Sequence, residues 1–307
     1  MSATPAVDPW SLTVMGETFP GGVEEHFLEV AGVRFRYLTG GSKGGPPLIL
    51  LHGWPTWAEV WLPSARILGE QRSWIAPDLP CQGRSSLLPR GSRTIPSYRA
   101  AVASFLDALN LSRYVVVGNS MGGTLAVMAA LDRPERVERL VVVDGAGLTP
   151  RLPSRTARIY LPFLLPCFFR APGPASVRKL LTRAVFHDPR RADLEWVNTM
   201  VSGWAPQERR RALMDTGFGL RRPDASVAGD LGRVRVPTLV ISGRQDVQFP
   251  WQSAREAASR IPGARFEAVE DAGHFPMVER PAEVARLISE FLSGRPSTDA
   301  NAAAESP

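Results

Sequence analysis

The feature that most constrains the fold is an apolar, β-branched run that ends in glycine and is followed by a serine. Residues 115–126 read VVVGNSMGGTLA, which predicts a buried strand, a sharp turn and then a helix. A serine at the tip of such a turn needs neighbours with almost no side chain, and Gly118 and Gly122 meet that need. The sequence therefore predicts that the Ser120 hydroxyl stands out of a sheet at a helix start, where the Met121 N–H and the helix dipole favour negative charge.

Apolar runs and amphipathic stretches alternate on both sides of this turn. Strands are predicted over 26–30, 33–38, 48–51, 73–76, 114–117, 137–143, 238–242 and 265–269, and helices over 56–69, 95–109, 121–133, 251–260 and 281–292. This alternation predicts an α/β fold with a mostly parallel sheet and right-handed crossovers. The first two strands, joined by Ala31 and Gly32, are expected to form an antiparallel pair. The glycine-rich stretch 40–46 lacks the order of a phosphate-binding loop and is interpreted as a hairpin loop.

The alternation fails in one long segment, which divides the chain. Between Arg151 and Arg222 there are 14 Lys and Arg residues against 5 Asp and Glu, so the basic charge of the chain is concentrated there. The predicted organisation is an N-terminal arm at 1–25, a core at 26–147 and 230–292, a helical insertion at 148–229 and a disordered tail at 293–307. No nucleic-acid motif accompanies the charge, so nucleic acid is not an expected partner, whereas peripheral contact of the basic insertion with an anionic surface stays open.

Composition also restricts the compartment and the chemistry. No apolar stretch approaches the ~20 residues that span a bilayer. The first ten residues do not resemble a signal peptide, so a cytoplasmic protein is expected. The two cysteines, Cys81 and Cys167, lie far apart and predict neither a disulfide framework nor a metal-ligand spacing. Neither a metal nor another cofactor is expected, and the oligomeric state stays open.

A serine nucleophile needs a base near neutral pH, and that base is most often a histidine. Among the four histidines, His274 follows the last predicted strand. It is therefore expected at the carboxyl edge of the sheet, where the turn at Ser120 also opens. A carboxylate must then orient the imidazole. Asp246, after the seventh strand, is the first candidate, and Asp144, after the sixth strand, is the second.

Four motifs in this order resemble those of the α/β-hydrolase family. They are the HGWP loop at 52–55, the DLPCQGRS loop at 78–85, the turn around Ser120, and the DAGHFPMVERP stretch at 271–281. The succession serine, aspartate, histidine along the chain is also that of the family. The resemblance implies an eight-stranded, mostly parallel sheet flanked by helices, with a helical cap inserted after the sixth strand.

The same resemblance implies an oxyanion hole, with the backbone N–H of Trp54 joining that of Met121. One residue departs from the family pattern, because Cys81 stands where the family usually has glycine. Either the turn at Cys81 is reshaped, or this cysteine adopts a positive φ.

The predicted reaction is hydrolysis of a carboxylic ester, through an acyl-enzyme on Ser120 that is released by water activated by His274. A serine at this position argues against relatives that use an aspartate nucleophile. One alternative is a carbon–carbon bond hydrolase of dienol ring-fission products, whose elbow is similar to GNSMGG at 118–123. Those enzymes usually have Gly-Pro-Gly and Trp where this chain has residues 54–56 and Phe275. A ligand-binding module that retains the triad is an alternative of another class, and thioesterase, lactonase and perhydrolase variants stay open.

An apolar run, IYLPFLLPCFF at 159–169, lies inside the basic segment. It is too short to span a membrane, and its prolines would interrupt a long helix. It is expected either to pack the cap onto the core or to form a wall over the pocket, with Phe163 and Phe168 binding substrate beside Trp54. The second arrangement would fit a small to medium lipophilic substrate.

Overall fold

The computed structural model describes residues 22–294, except 43, 150–184, 192–198, 200–202 and 205. The described part contains one eight-stranded sheet with the strand order β1-β2-β4-β3-β5-β6-β7-β8. The strands are β1 Glu24–Val30, β2 Val33–Gly40, β3 Leu48–Leu51, β4 Trp74–Pro77, β5 Tyr114–Asn119, β6 Val137–Val143, β7 Thr238–Gly243 and β8 Arg265–Val269.

Strands β1, β2 and β4 pair in antiparallel fashion, and all other neighbouring strands are parallel. This confirms the predicted mostly parallel, eight-stranded sheet. Strands β3 and β5 are buried at every position, which explains why their sequences are continuous apolar runs rather than alternating ones.

The interpretation of residues 40–46 as a hairpin loop was wrong. Strand β4 lies between β2 and β3, so the loop joins two strands that are not paired. Its glycines serve a close approach: Gly41 has a φ of 82°, and a Cβ there would lie 2.2 Å from the carbonyl oxygen of Arg72. The loop packs against the segment before β4, where the Ser42 N–H donates to the carbonyl of Gly69 at 2.8 Å.

Helices cover both faces of the sheet. The helices of the described part are α1 Leu62–Leu68, α2 Ile95–Ala108, α3 Met121–Asp132, α4 Gln207–Gly219, α5 Trp251–Ser259, α6 Pro276–Glu279 and α7 Pro281–Leu292. The helix predicted over 56–69 is divided into a 3₁₀ turn at Ala58–Trp61 and α1, with a proline in the first turn of α1. The sequence patterns predict no bounds for α4 and α6.

Two hydrophobic layers hold the sheet between the helices. One layer packs α2, α3 and α5 against one face and includes Phe35, Phe105 and Leu125. The other packs α1 and α7 against the opposite face and includes Trp61 and Ile288. Full burial of one such side chain contributes about 1.5–3 kcal/mol. The layers thereby fix the sheet, and the loops at its carboxyl edge start from fixed points.

The chain leaves the sheet at Val143, the end of β6, and returns at Thr238, the start of β7. These two strands pair directly in parallel, so the connection that carries the long insertion runs from the carboxyl edge of the sheet back to its amino edge. Its described residues include 185–191 and helix α4. Within the ranges given above, no helix has the length and apolar character needed to cross a membrane.

Candidate active site

The turn between β5 and α3 holds Ser120 in a backbone conformation that few non-glycine residues adopt. Its φ is 52° and its ψ is −119°. Such a conformation costs about 1–3 kcal/mol and persists only where the surroundings fix it. Here the Ser120 N–H donates to the carbonyl of Val143 at 3.1 Å, and the Ser120 carbonyl accepts from Gly123 and Ala146 at 2.9 and 3.0 Å. The backbone on both sides of the serine is therefore held.

Two glycines make this turn possible because no side chain fits at their positions. A Cβ on Gly118 would lie 2.1 Å from the carbonyl oxygen of Gly122. A Cβ on Gly122 would lie 2.2 Å from the carbonyl oxygen of Leu51. The elbow thus packs backbone against backbone, as the sequence pattern around Ser120 predicts.

His274 and Asp246 are in direct contact. The Nδ1 of His274 lies 2.7 Å from Oδ2 of Asp246, and both side chains are buried. The other carboxylate oxygen of Asp246 accepts N–H groups of Gln248 at 2.7 Å and Phe249 at 3.1 Å. An ionised carboxylate only accepts, so Nδ1 carries the hydrogen and Nε2 of His274 is left as the basic nitrogen.

The loop of His274 is attached to the serine elbow through Asn119. The Asn119 amide donates to the carbonyls of Val143 and His274, each at 3.1 Å. The rings of Phe249 and Phe275 lie 5.4 and 5.5 Å from the His274 ring, centroid to centroid, and surround the imidazole with apolar area. This role of Asn119 could not be predicted, since a linear motif does not show which carbonyl groups a side-chain amide contacts.

Asp144, the second candidate for the acid, lies beside the first one. Its Oδ1 accepts the hydroxyl of Ser242 at 2.6 Å and the N–H of Gly243 at 3.1 Å. One polar side-chain atom from each of Asp144, Asp246 and His274 falls within 4.8 Å of the others. Burial and the neighbouring Asp246 raise the pKa of Asp144 well above its usual range. Asp246, and not Asp144, accepts the hydrogen bond from Nδ1 of His274.

The loop at 52–55 passes directly against the nucleophile candidate. A Cβ on Gly53 would lie 2.8 Å from Cβ of Ser120. The Gly53 carbonyl accepts from His52 Nδ1 at 2.8 Å, and from the hydroxyl and the N–H of Thr56 at 2.9 and 3.1 Å. The peptide that follows Gly53 is trans. The Trp54 N–H therefore points away from those three donors.

His52 connects this loop to the next motif and is held neutral. Its Nε2 accepts the N–H of Leu79 at 2.8 Å, so Nδ1 carries the hydrogen that is donated to Gly53. Burial lowers the pKa of His52 to about 4. Both ring nitrogens are used within the fold, which makes His52 a structural residue rather than a base.

The motif at 78–85 wraps around the carboxylate of Asp78. Its two oxygens accept the N–H groups of Ala58 at 2.9 Å and Arg84 at 2.7 Å. Cys81 adopts a φ of 68°, so the departure from glycine is met by a positive φ at the cysteine. The buried Cys81 sulfur also accepts the N–H of Leu88 at 3.2 Å, a contact that glycine could not make.

A buried arginine, which the sequence analysis did not single out, supports both loops. Arg36 in β2 bonds Glu25 at 2.6 Å and Glu59 at 2.8 Å, and approaches Asp78 at 3.3 Å. Burial alone would lower the pKa of Arg36, but the carboxylates of Asp78 and Glu59 raise it above its usual range. The guanidinium thus remains charged and joins the 3₁₀ turn after the 52–55 loop to the start of the 78–85 loop.

The residues expected to bind substrate are placed only in part. The Trp54 indole N–H donates to the carbonyl of Leu213 in α4 at 3.0 Å, so the residue after Gly53 contacts the insertion. Phe163 and Phe168 lie outside the described residues, as do Cys167 and most of the basic segment.

Comparison with known proteins agrees with this architecture. A sequence model described as the α/β hydrolase fold matches residues 46–281. The chain therefore belongs to the α/β-hydrolase fold family.

Relatives of this chain carry the names of different hydrolases. The carboxylesterase YbfK of Bacillus subtilis (strain 168) is 28% identical over 264 residues, covering 84% of this chain and 83% of that protein. A 2-hydroxymuconate semialdehyde hydrolase of Pseudomonas putida is 29% identical over 270 residues, covering 81% of this chain and 88% of that protein. The crystal structure of a bacterial membrane phospholipase A superposes with a TM-score of 0.79 at 30% identity, covering 89% of this chain and 87% of that one. The fold and these relatives support a hydrolase.

Proposed function

We propose that this protein is a serine hydrolase that cleaves a carboxylic ester of a small to medium lipophilic substrate. The observation that carries the proposal is the 2.7 Å contact between His274 and Asp246. The loop of His274 is in turn bonded by the Asn119 side chain to the elbow that holds Ser120 in its strained conformation. A nucleophile, a base with an unprotonated nitrogen and an acid that orients the base are the parts that acyl transfer requires.

In the proposed first step, Ser120 Oγ attacks the ester carbonyl carbon while Nε2 of His274 takes the hydroxyl proton. The ionised Asp246 stabilises the imidazolium that forms. The carbonyl oxygen becomes negative and is received by the N–H groups of Met121 and Trp54, each of which contributes roughly 10²–10³ in rate in sites of this kind. Collapse of the tetrahedral intermediate breaks the ester C–O bond, and the leaving alcohol takes the proton from His274.

Water then repeats the sequence on the acyl-enzyme. His274 removes a proton from the water, the hydroxide attacks the acyl carbon, and the Ser120 oxygen leaves and is reprotonated by His274. We place the cap at residues 148–229, over this site, in line with the contact between Trp54 and α4. The cytoplasmic location stays a prediction from the sequence.

A second candidate function is hydrolysis of a carbon–carbon bond in a dienol. The GNSMGG elbow at 118–123 and the likeness to a 2-hydroxymuconate semialdehyde hydrolase favour it. Trp54 and Phe275, which occupy positions where those enzymes usually carry other residues, favour the ester. The ligand-binding module is the remaining alternative, in which the same residues recognise a ligand without turnover.

Labelling and a substrate panel distinguish these functions. The purified protein is treated with a fluorophosphonate, and the modified peptide is located by mass spectrometry, with Ser120→Ala as the control. We expect the adduct on Ser120 and turnover of p-nitrophenyl esters of increasing acyl length. Cleavage of a dienol ring-fission product without ester preference would favour the second function. Labelling without any turnover would favour the binding module, and full ester turnover by Ser120→Ala would refute a serine mechanism.

A further inference from the structure

One described segment of the insertion, residues 185–191, lies against the loop that carries His274. The N–H of His274 donates to the carbonyl of Val185 at 2.7 Å. The approach is so close that a Cβ on Gly273 would lie 2.4 Å from the same carbonyl oxygen. Phe186 packs edge-on against Phe275, with their ring centroids 5.6 Å apart. The backbone of the candidate base is therefore supported by the insertion as well as by the sheet.

The carboxylate of Glu279 connects these two segments. One oxygen accepts the N–H of Gly273, next to His274, at 2.6 Å. The other oxygen accepts the N–H of Asp188, in the insertion, at 2.9 Å. The backbone carbonyl of Glu279 also accepts from Arg191 at 2.6 Å. Glu279 is 4% exposed, so water cannot easily replace it as the acceptor for these N–H groups.

We propose that Glu279 is a positioning residue that holds segment 185–191 and the His274 loop in one arrangement, so that the orientation of the imidazole depends on the insertion. Two oxygens are needed, because each serves an N–H from a different segment. A glutamine of the same shape has only one acceptor oxygen, and its NH₂ group would face a backbone N–H. The effect on turnover rests on the proposed function, whereas the effect on the His274 ring does not.

The test compares Glu279→Gln with Glu270→Gln in the full-length protein. Glu270 is a matched control because it lies in the loop that carries His274 but is exposed and pairs with Arg244. Proton NMR follows the low-field signal of the hydrogen on His274 Nδ1, and steady-state kinetics on a p-nitrophenyl ester give kcat and KM. We expect Glu279→Gln to shift or broaden that signal. It should also lower kcat by about tenfold to a hundredfold, because a buried N–H donor loses its acceptor, whereas KM should change less. Glu270→Gln should match the wild type.

Arg191→Ala is the second variant, since it loosens the insertion side of the contact and leaves the Glu279 carboxylate in place. It should change the NMR signal in the same direction by a smaller amount, and it keeps the test valid if Glu279→Gln does not fold. A lower melting temperature with an unchanged His274 signal and unchanged kcat would overturn the proposal and leave Glu279 as a residue of stability alone. If Ser120→Ala keeps its turnover, the proposed function fails, but the NMR comparison still decides whether Glu279 positions the ring.

Discussion

Acidification should destabilise this protein because His52 gains a proton more easily in the unfolded chain than in the native one. Burial lowers the pKa of His52 to about 4, against 6.5 for an unperturbed histidine. Between these two values the unfolded chain binds a proton at His52 and the native chain does not, so the free energy of unfolding falls as the pH falls. A gap of about 2.5 pH units corresponds to about 3 kcal/mol, fully present above pH 6.5 and lost by about pH 4.

Urea unfolding of the wild type and His52→Asn at about pH 7 and about pH 5 isolates this contribution, because the other titrating groups are common to both proteins. We expect the wild type to lose about 2 kcal/mol more than the variant over this interval. An NMR titration of the wild type gives the pKa of His52 directly and serves as the control if the variant is too unstable. Equal pH dependence of the two proteins, or titration of His52 near 6.5, would refute the reasoning.

Three further substitutions have definite expectations. Asp246→Asn should lower kcat on a p-nitrophenyl ester by about 10⁴-fold, because the imidazole loses its orienting carboxylate. Asp144→Asn should change kcat less than about tenfold. The opposite ranking would identify Asp144 as the acid. The pKa of Asp144 is raised in the native state, so the wild type loses free energy of unfolding as the pH rises from 5 to 8, and Asp144→Asn lacks this loss. In urea unfolding, the variant should therefore gain stability relative to the wild type over this pH range. A constant difference between the two proteins would contradict this. Gly122→Ala should lose about 3 kcal/mol, because its Cβ would overlap the carbonyl of Leu51, and an unchanged melting temperature would argue against that close contact.

The sheet could be predicted because each strand has a recognisable local sequence pattern. Each buried strand, such as β5, is a short apolar run bounded by turn residues, and the observed bounds differ from the predicted ones by only a few residues. The role of the glycines around Ser120 could also be predicted, since the need for glycine follows from the backbone geometry of one turn. The pairing of β2 with β4 could not be predicted, because nothing within residues 40–46 shows that β4 lies between β2 and β3.

The parts of the site that the sequence did not show are contacts between distant positions. Arg36 and its three carboxylates come from four separate segments, and none of them belongs to a periodic pattern that marks it as buried. Glu279 stood within a motif, but its partner Asp188 lies in an insertion without regular alternation. The positive φ of Cys81 was also left open, because the contact between its sulfur and the Leu88 N–H involves a residue outside the 78–85 motif.

The insertion between β6 and β7 has a consequence for how such a protein can diverge. Because these strands are neighbours in the sheet, the insertion can change in length or sequence while both of its ends stay in place, and doubling a flexible connection costs only about 0.6 kcal/mol in closure entropy. Natural variation or grafting can therefore exchange this segment without rebuilding the sheet. A transplanted segment must still offer a backbone N–H where Asp188 now meets Glu279, so that one contact limits which grafts remain compatible with the rest of the chain.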